Sequence, residues 1–249
     1  MERIENTQGF LYGYGVFETM KVENLKVLNI EKHFLRLKNS AKELNIFFNM
    51  SLGEFLEIIK KEIKKYDERV YVLRFSLGKN GDSFFYSILK REFSYTKSTY
   101  KNGYKLTISP LKKDPKSKII YHKTLNYLEN ILELERIKEL GFNESLFFNI
   151  YNEITECITS NIYLVKDNKI YTPLVTCGLL EGTMRKVIFE KCREYNLPIF
   201  QKKLFLKDIL ECDEIFLTNS LMGILKVSSF NEREFQSCFT DKLKIKFNL

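Results

Sequence analysis

Apolar residues recur along this chain with two periods, and their alternation predicts a mixed α and β protein. Between 51 and 66 they fall at Leu52, Phe55, Leu56, Ile59, Ile63 and Tyr66, the 3-4 spacing of one helical face. Ser51 and Glu54 stand at its start with the spacing of a capping box. Residues 30–44 carry a second helical stripe of Phe34, Leu37, Ala41 and Leu44. From 70 to 77 the period shortens to two. Tyr71, Leu73, Phe75 and Leu77 face one side, and Val72, Arg74 and Ser76 the other, which predicts a strand. Residues 83–90 and 104–109 predict further strands.

The character changes at 110–122, PLKKDPKSKIIYH, which is rich in lysine and holds two of the four prolines. This is the expected interdomain linker. Beyond it the pattern predicts a helix over 127–140 closed by Gly141, strands at 144–150 and 161–165, and a hairpin turn at Asp167-Asn168. A helix over 183–195 turns Met184, Val187, Ile188 and Cys192 inward, and a strand at 214–218 runs into the polar turn Thr218-Asn219-Ser220. The expectation is an α+β protein of two domains with a cleft between them: a small N-terminal α/β domain over 1–109, the linker 110–122, and a larger C-terminal α/β domain over 123–249.

Composition narrows the function classes. The net charge of +8 suits either nucleic acid or anionic small molecules. The lysines are scattered among glutamates, as in KKEIKKYDER, and no zinc-finger spacing, RNP-like aromatic motif or basic arm is present. The abundance of lysine, beside that of Asn, Ile and Phe, reads equally as a compositional bias, so nucleic acid is not expected and a small anionic substrate is one reading left open. No apolar run approaches the roughly 18–20 residues that cross a bilayer, and the opening MERIENTQGF is polar, so no membrane and a cytoplasmic location are expected. The five cysteines, Cys157, Cys177, Cys192, Cys212 and Cys238, include no C-x-x-C pair and lie far in sequence from His33 and His122. No metal site is expected, and the thiols suit a reduced interior.

Four segments carry candidate chemistry. Lys123, in HKTLNY at the junction of linker and helix, is a possible imine-forming amine, since burial lowers a lysine pKa; it could equally be one more surface charge. Glu156, in TECITSNIY, is a lone acid among small and β-branched residues before a strand. It could pair with a cationic ring nitrogen or simply bond local amides. GLLEGTMR, residues 178–185, runs into a helix whose N-terminus favours an anion. LTNSLMG, residues 217–223, delivers hydroxyl and amide groups into a turn, again suited to phosphate.

Taken in order, these segments resemble the fold-type IV enzymes that use pyridoxal 5′-phosphate (PLP): branched-chain aminotransferases, D-amino-acid transaminases and 4-amino-4-deoxychorismate lyases. GFLYGYGVFETMKV at 9–22 resembles their early strand, and His33-Phe34-Leu35-Arg36-Leu37 their H-x-x-R-L element. The resemblance spans about residues 9–227. It implies a D-amino-acid-transaminase-like fold with PLP in the interdomain cleft, bound mainly by the C-terminal domain, and a homodimer. It implies that Lys123 carries PLP as a Schiff base and moves protons at the substrate carbon. Glu156 would face the pyridine nitrogen, Tyr127 the phenolate oxygen. Arg36 would bind the phosphate, joined by the N–H groups of Thr183 and Met184 and by the turn at Ser220. The chain departs from the family pattern in a shortened opening before residue 9, in Tyr14 where many members have Asp, in Cys157 where Gly is common, and in Met184 where transaminases have Thr.

The strings TEC, GTMR and TNSLMG resemble lyases more than branched-chain aminotransferases. The resemblance thus implies an aminodeoxychorismate lyase, releasing 4-aminobenzoate and pyruvate for folate biosynthesis. A branched-chain or D-amino-acid aminotransferase is the alternative within the family, and a non-catalytic binding protein on this fold the alternative of a different class. Arg74, Lys112, Lys113 and His122 are unranked candidates for the substrate-carboxylate clamp.

Overall fold

A computed structural model describes residues 6–249; the first five residues of the polar opening lie outside the described residues. The chain divides into two compact units: residues up to Ser94 with His122–Tyr127, and Tyr95–Tyr121 with Leu128–Leu249.

The first unit contains α1 (Gln8–Tyr12), β1 (Gly15–Glu23), β2 (Lys26–Val27), α2 (Ile30–Glu43), α3 (Leu52–Ile63), β3 (Val70–Asn80) and β4 (Ser83–Arg91). Its four-stranded sheet has the order β2-β1-β3-β4, antiparallel throughout. The two stripes read from the sequence form its core: Phe34, Leu37 and Ala41 of α2 and Phe55, Ile59 and Ile63 of α3 pack with Tyr71, Leu73, Phe75 and Leu77 of β3. The capping box closes as its spacing requires, with the Ser51 hydroxyl accepting from Glu54 N–H and the Glu54 carboxylate accepting from Ser51 N–H.

The second unit contains α4 (Lys97–Asn102), β5 (Tyr104–Lys113), α5 (Leu128–Glu139), β6 (Glu144–Asn149), β7 (Ile154–Cys157), β8 (Asn161–Lys166), β9 (Lys169–Pro173), α6 (Thr183–Glu194), β10 (Ile199–Lys202), α7 (Leu206–Glu211), β11 (Glu214–Asn219), β12 (Gly223–Phe230), β13 (Arg233–Glu234) and α8 (Cys238–Phe247). Its sheet runs β10-β9-β8-β11-β12-β5-β6-β7, with β13 on β12. The parallel contacts are β12 with β5, β5 with β6, and β10 with β9. Asp167 and Asn168 both have positive φ, 49° and 59°, as a tight hairpin between β8 and β9 demands. Met184, Val187, Ile188 and Cys192 of α6 are buried with Tyr163, Phe216 and Ile224.

The boundary between units differs from the one read in the sequence, which ends the first domain at 109 and begins the last at 123. β5 extends past 109 to Lys113: after a register shift between Ile108 and Lys112, Lys112 and Lys113 pair with Phe148 and Asn149 of β6. His122–Tyr127 is strapped into the first unit by its backbone. Phe17 N–H donates to Lys123 O at 2.8 Å, Leu125 N–H donates to Gly15 O at 2.9 Å, and Val16 bridges Thr124. Periodicity does not report such a strap, since its bonds are backbone bonds in a segment too short to have a period. Among the described residues no helix is long and apolar enough to cross a membrane.

Candidate active site

In the first unit the strap brings Lys123 and Tyr127 to one ring. The Lys123 Nζ lies 4.5 Å from the centroid of Phe17 and 5.3 Å from that of Tyr127, and the Phe17 and Tyr127 rings meet edge to face at 5.3 Å. The Arg74 guanidinium lies over the same Phe17 ring at 3.7 Å and donates through Nε to Ser76 Oγ. Burial and the neighbouring Arg91 both lower the pKa of Arg74 from its usual value, so two cations crowd this part of the sheet. Gly15 is required where the strap meets β1. A Cβ there would stand 2.3 Å from the carbonyl oxygen of Leu77 and 2.5 Å from the Leu125 side chain.

Arg36 lies on α2 with its fork closed on an acid that the sequence reading passed over. Its Nε donates to Glu18 Oε1 at 2.7 Å and its Nη2 to Glu18 Oε2 at 2.5 Å, and His33 Nδ1 lies 2.6 Å from Oε2. Glu18 is 1% exposed. Burial pushes its carboxyl up, but the charge of Arg36, with His33, overrides this and holds it at about 2. The signal was present: a single acid in the apolar strand VFETM, with His33 and Arg36 one turn apart on an amphipathic helix.

The other clamp candidates separate. His122 Nδ1 is 3.0 Å from Ser40 Oγ, its Nε2 is 3.5 Å from Glu43, and burial lowers its pKa. Lys113 sits over the Phe147 ring at 4.2 Å. Lys112 donates to Asn152 at 2.5 Å beside a cavity of about 620 Å³ lined by Ile108, Phe148, Phe205 and Lys207. Of the four, Arg74 shares an aromatic ring with Lys123.

The second unit brings together donors that could hold an anion. α6 begins after Gly182, which supplies no side-chain cap, so the first-turn N–H groups of Thr183 and Met184 have no side-chain acceptor from that position. Thr183 Oγ1 lies 2.7 Å from Ser220 Oγ in the turn after β11. The Met184 side chain is buried in the α6 core, leaving its backbone as the group it can offer. Asn161 packs beneath: a Cβ on Gly182 would fall 2.5 Å from Asn161 Oδ1, and Asn161 Nδ2 donates to Thr218 O and Oγ1 at 2.9 and 3.0 Å. Glu156, on β7, is half-buried, and its Oε2 accepts from Leu180 N–H at 3.1 Å. Helix N-terminus, paired hydroxyls and a held carboxylate together suit a ligand with an anionic group and a protonated nitrogen.

The model of the family described as amino-transferase class IV matches residues 15–230. An aminodeoxychorismate lyase of Bacillus subtilis is 29% identical over 246 residues, covering 92% of this chain and 82% of that protein. A D-alanine aminotransferase of Bacillus licheniformis is 26% identical, covering 93% and 86%. A crystal structure from Legionella pneumophila, of a protein provisionally assigned as a 4-amino-4-deoxychorismate lyase, superposes with a TM-score of 0.92 at 28% identity, covering 100% of this chain and 95% of that one. The α+β architecture is thus that of fold-type IV. This chain belongs to the class IV aminotransferase family of PLP-dependent enzymes.

Proposed function

We propose that the protein is an aminodeoxychorismate lyase that converts 4-amino-4-deoxychorismate to 4-aminobenzoate and pyruvate, a step of folate biosynthesis. The observation that carries this reading is the 29% identity to the Bacillus subtilis lyase across 92% of the chain. The Legionella pneumophila superposition and the strings TEC, GTMR and TNSLMG support it.

The residues present fit PLP. Lys123 would hold it covalently through Nζ. The phosphate would be bound by the α6 N–H groups of Thr183 and Met184, by the hydroxyls of Thr183 and Ser220, and by Arg36. Tyr127 would donate to the phenolate oxygen, and Glu156 would keep a proton on the ring nitrogen. When bound, PLP supplies an electron sink for charge developing at the carbon that bears the substrate amine. Lys123 Nζ moves the proton at that carbon, and Arg74 binds a substrate carboxylate through its planar fork. The enzyme is proposed to be a cytoplasmic homodimer. The exposed stripe of Leu128, Ile131 and Leu132 on α5 supports a protein partner surface.

A second reading, an aminotransferase, is favoured by the 26% identity to the Bacillus licheniformis D-alanine aminotransferase. A two-way assay separates them. The PLP-loaded protein receives 4-amino-4-deoxychorismate without any keto acid, or D-alanine or leucine with 2-oxoglutarate. The lyase reading expects pyruvate and 4-aminobenzoate in equal amounts from the first mixture and little turnover in the second. The reverse pattern moves the protein to the second reading.

A further inference from the structure

Glu144 opens β6 with its side chain wholly inside the second unit, at 1% exposure, and the mechanism above makes no use of it. Its carboxylate is spent on one short turn. Thr159 Oγ1 donates to Oε2 at 2.7 Å, Ser160 Oγ donates to the same oxygen at 2.9 Å, and Thr159 N–H reaches both oxygens at 3.3 Å. These donors are all uncharged. Burying a carboxylate against neutral donors is costly, and burial raises Glu144 to about 7 even though every one of these bonds pulls it down. A glutamine offers one acceptor oxygen and sets an NH2 donor beside these donors, so the turn as built uses the acceptors that only an acid's two oxygens supply.

The turn lies between two parts of the candidate site. Glu156 precedes it on β7, and Asn161, the residue packed against Gly182, follows it on β8. Its backbone is tied on three sides: Cys157 N–H donates to Ser160 O at 2.9 Å, Ile158 N–H donates to Ser145 O at 3.2 Å, and Asn130 Nδ2 donates to Ile158 O at 3.0 Å. Thr159 and Ser160 are the two members of the turn whose side chains Glu144 holds.

We propose that Glu144 is a positioning residue whose carboxylate locks the turn at 157–160 and thereby fixes Glu156 and Asn161 relative to one another. The proposal rests on the reading in which Glu156 faces the cofactor's ring nitrogen. Displacement of a catalytic contact by about 1 Å is enough to cost a large rate factor, and a carboxylate with two acceptor oxygens can hold two hydroxyls and an amide at once. The groups that face Glu144 in the fold are Tyr104 at the start of β5 and Cys157 on β7, both pushed up mainly by burial and further by the Glu144 charge.

The test uses the PLP-loaded holoenzyme and three variants, Glu144→Gln, Thr159→Val and Glu156→Gln. For each, the visible absorbance of the bound cofactor is titrated with pH, and kcat, KM and the thermal midpoint are measured. Glu144→Gln and Thr159→Val are expected to shift the absorbance titration by about half a pH unit or more and to lower kcat about tenfold with KM nearly unchanged. Neither should move the titration further in a Glu156→Gln background. A wild-type titration and wild-type kcat in both variants, with only the thermal midpoint changed, overturns the proposal. If Glu144→Gln does not fold, Thr159→Val alone decides by the same criteria. If Glu156→Gln itself leaves the titration unmoved, the assignment of Glu156 is what fails. If Glu156→Gln moves it and the other two do not, the role of Glu144 fails on its own.

Discussion

The hydroxyls of Thr183 and Ser220 meet at 2.7 Å although 37 residues separate them. One stands at the first turn of α6 and the other in the turn after β11, so two strand-to-helix and strand-to-strand connections converge on one point of the second unit. Two hydroxyls beside an uncapped helix N-terminus make a donor cluster with more hydrogens to give than partners of its own to take them.

The first prediction follows from that cluster. Thr183→Val and Ser220→Ala each remove one donor to the proposed phosphate. A hydrogen bond to a charged group contributes about 1.5–3 kcal/mol, so the PLP dissociation constant should rise at least about tenfold in each variant. Pyridoxal, which lacks the phosphate, should bind the variants as it binds the parent. Equal weakening of both ligands in equilibrium dialysis would remove these residues from the phosphate site.

The division of roles between Glu156 and Arg36 gives the second. Glu156→Gln keeps the size and removes the charge, so turnover should fall far more than PLP affinity. Arg36→Ala should show the opposite, with PLP lost first on dialysis. Parallel behaviour of the two variants in turnover and retention assays would contradict the assignment.

Much of this was legible in the sequence because it is written in local spacing. The α3 capping box, the β3 alternation, the Asp167-Asn168 hairpin and the buried face of α6 all follow from residues within one or two turns of each other. What periodicity left open depends on contacts between distant segments. Glu18 meets Arg36 across 18 positions, and Glu144 meets Ser160 across 16. Each reads locally as an acid in an apolar strand, and its partner is supplied only by the fold. The sharing of the Phe17 ring by Arg74 and Lys123 is likewise supplied only by the fold, and the assignment of His122–Tyr127 to the first unit required the strap on β1.

Two buried acids give a third prediction with opposite signs. Glu18 falls from an ordinary value of 4.5 to about 2, so it stabilises the fold above pH 4.5 and that contribution is lost as pH drops through 2. Glu144 rises from 4.5 to about 7, so its contribution is present below pH 4.5 and is lost as pH climbs through 7. Glu18→Gln should therefore destabilise most near neutral pH, by about 3 kcal/mol, and least in acid. Glu144→Gln should relieve the loss of stability between pH 4.5 and 7. Urea melts across pH 3–8 read both slopes, and a parallel offset of either variant at every pH would refute the corresponding assignment.

Arg74 supplies the fourth. Arg74→Gln keeps a planar polar head but loses the charge and the bidentate fork, so KM for 4-amino-4-deoxychorismate should rise by about one to two orders of magnitude with a smaller change in kcat. The Lys112→Gln variant, altered beside the 620 Å³ cavity of the second unit, serves as the comparison and should keep the parent KM. Equal effects in the two steady-state assays would return the clamp to the unranked set.

The central claim is that Lys123 is the residue through which this chain holds its cofactor, and borohydride trapping tests it most directly. The PLP-loaded protein is reduced, digested and mapped by mass spectrometry. The account predicts the pyridoxyl mass on one peptide, at Lys123, and no label in Lys123→Ala under the same treatment. A label at any of the other lysines, or an unchanged yield in Lys123→Ala, would contradict it.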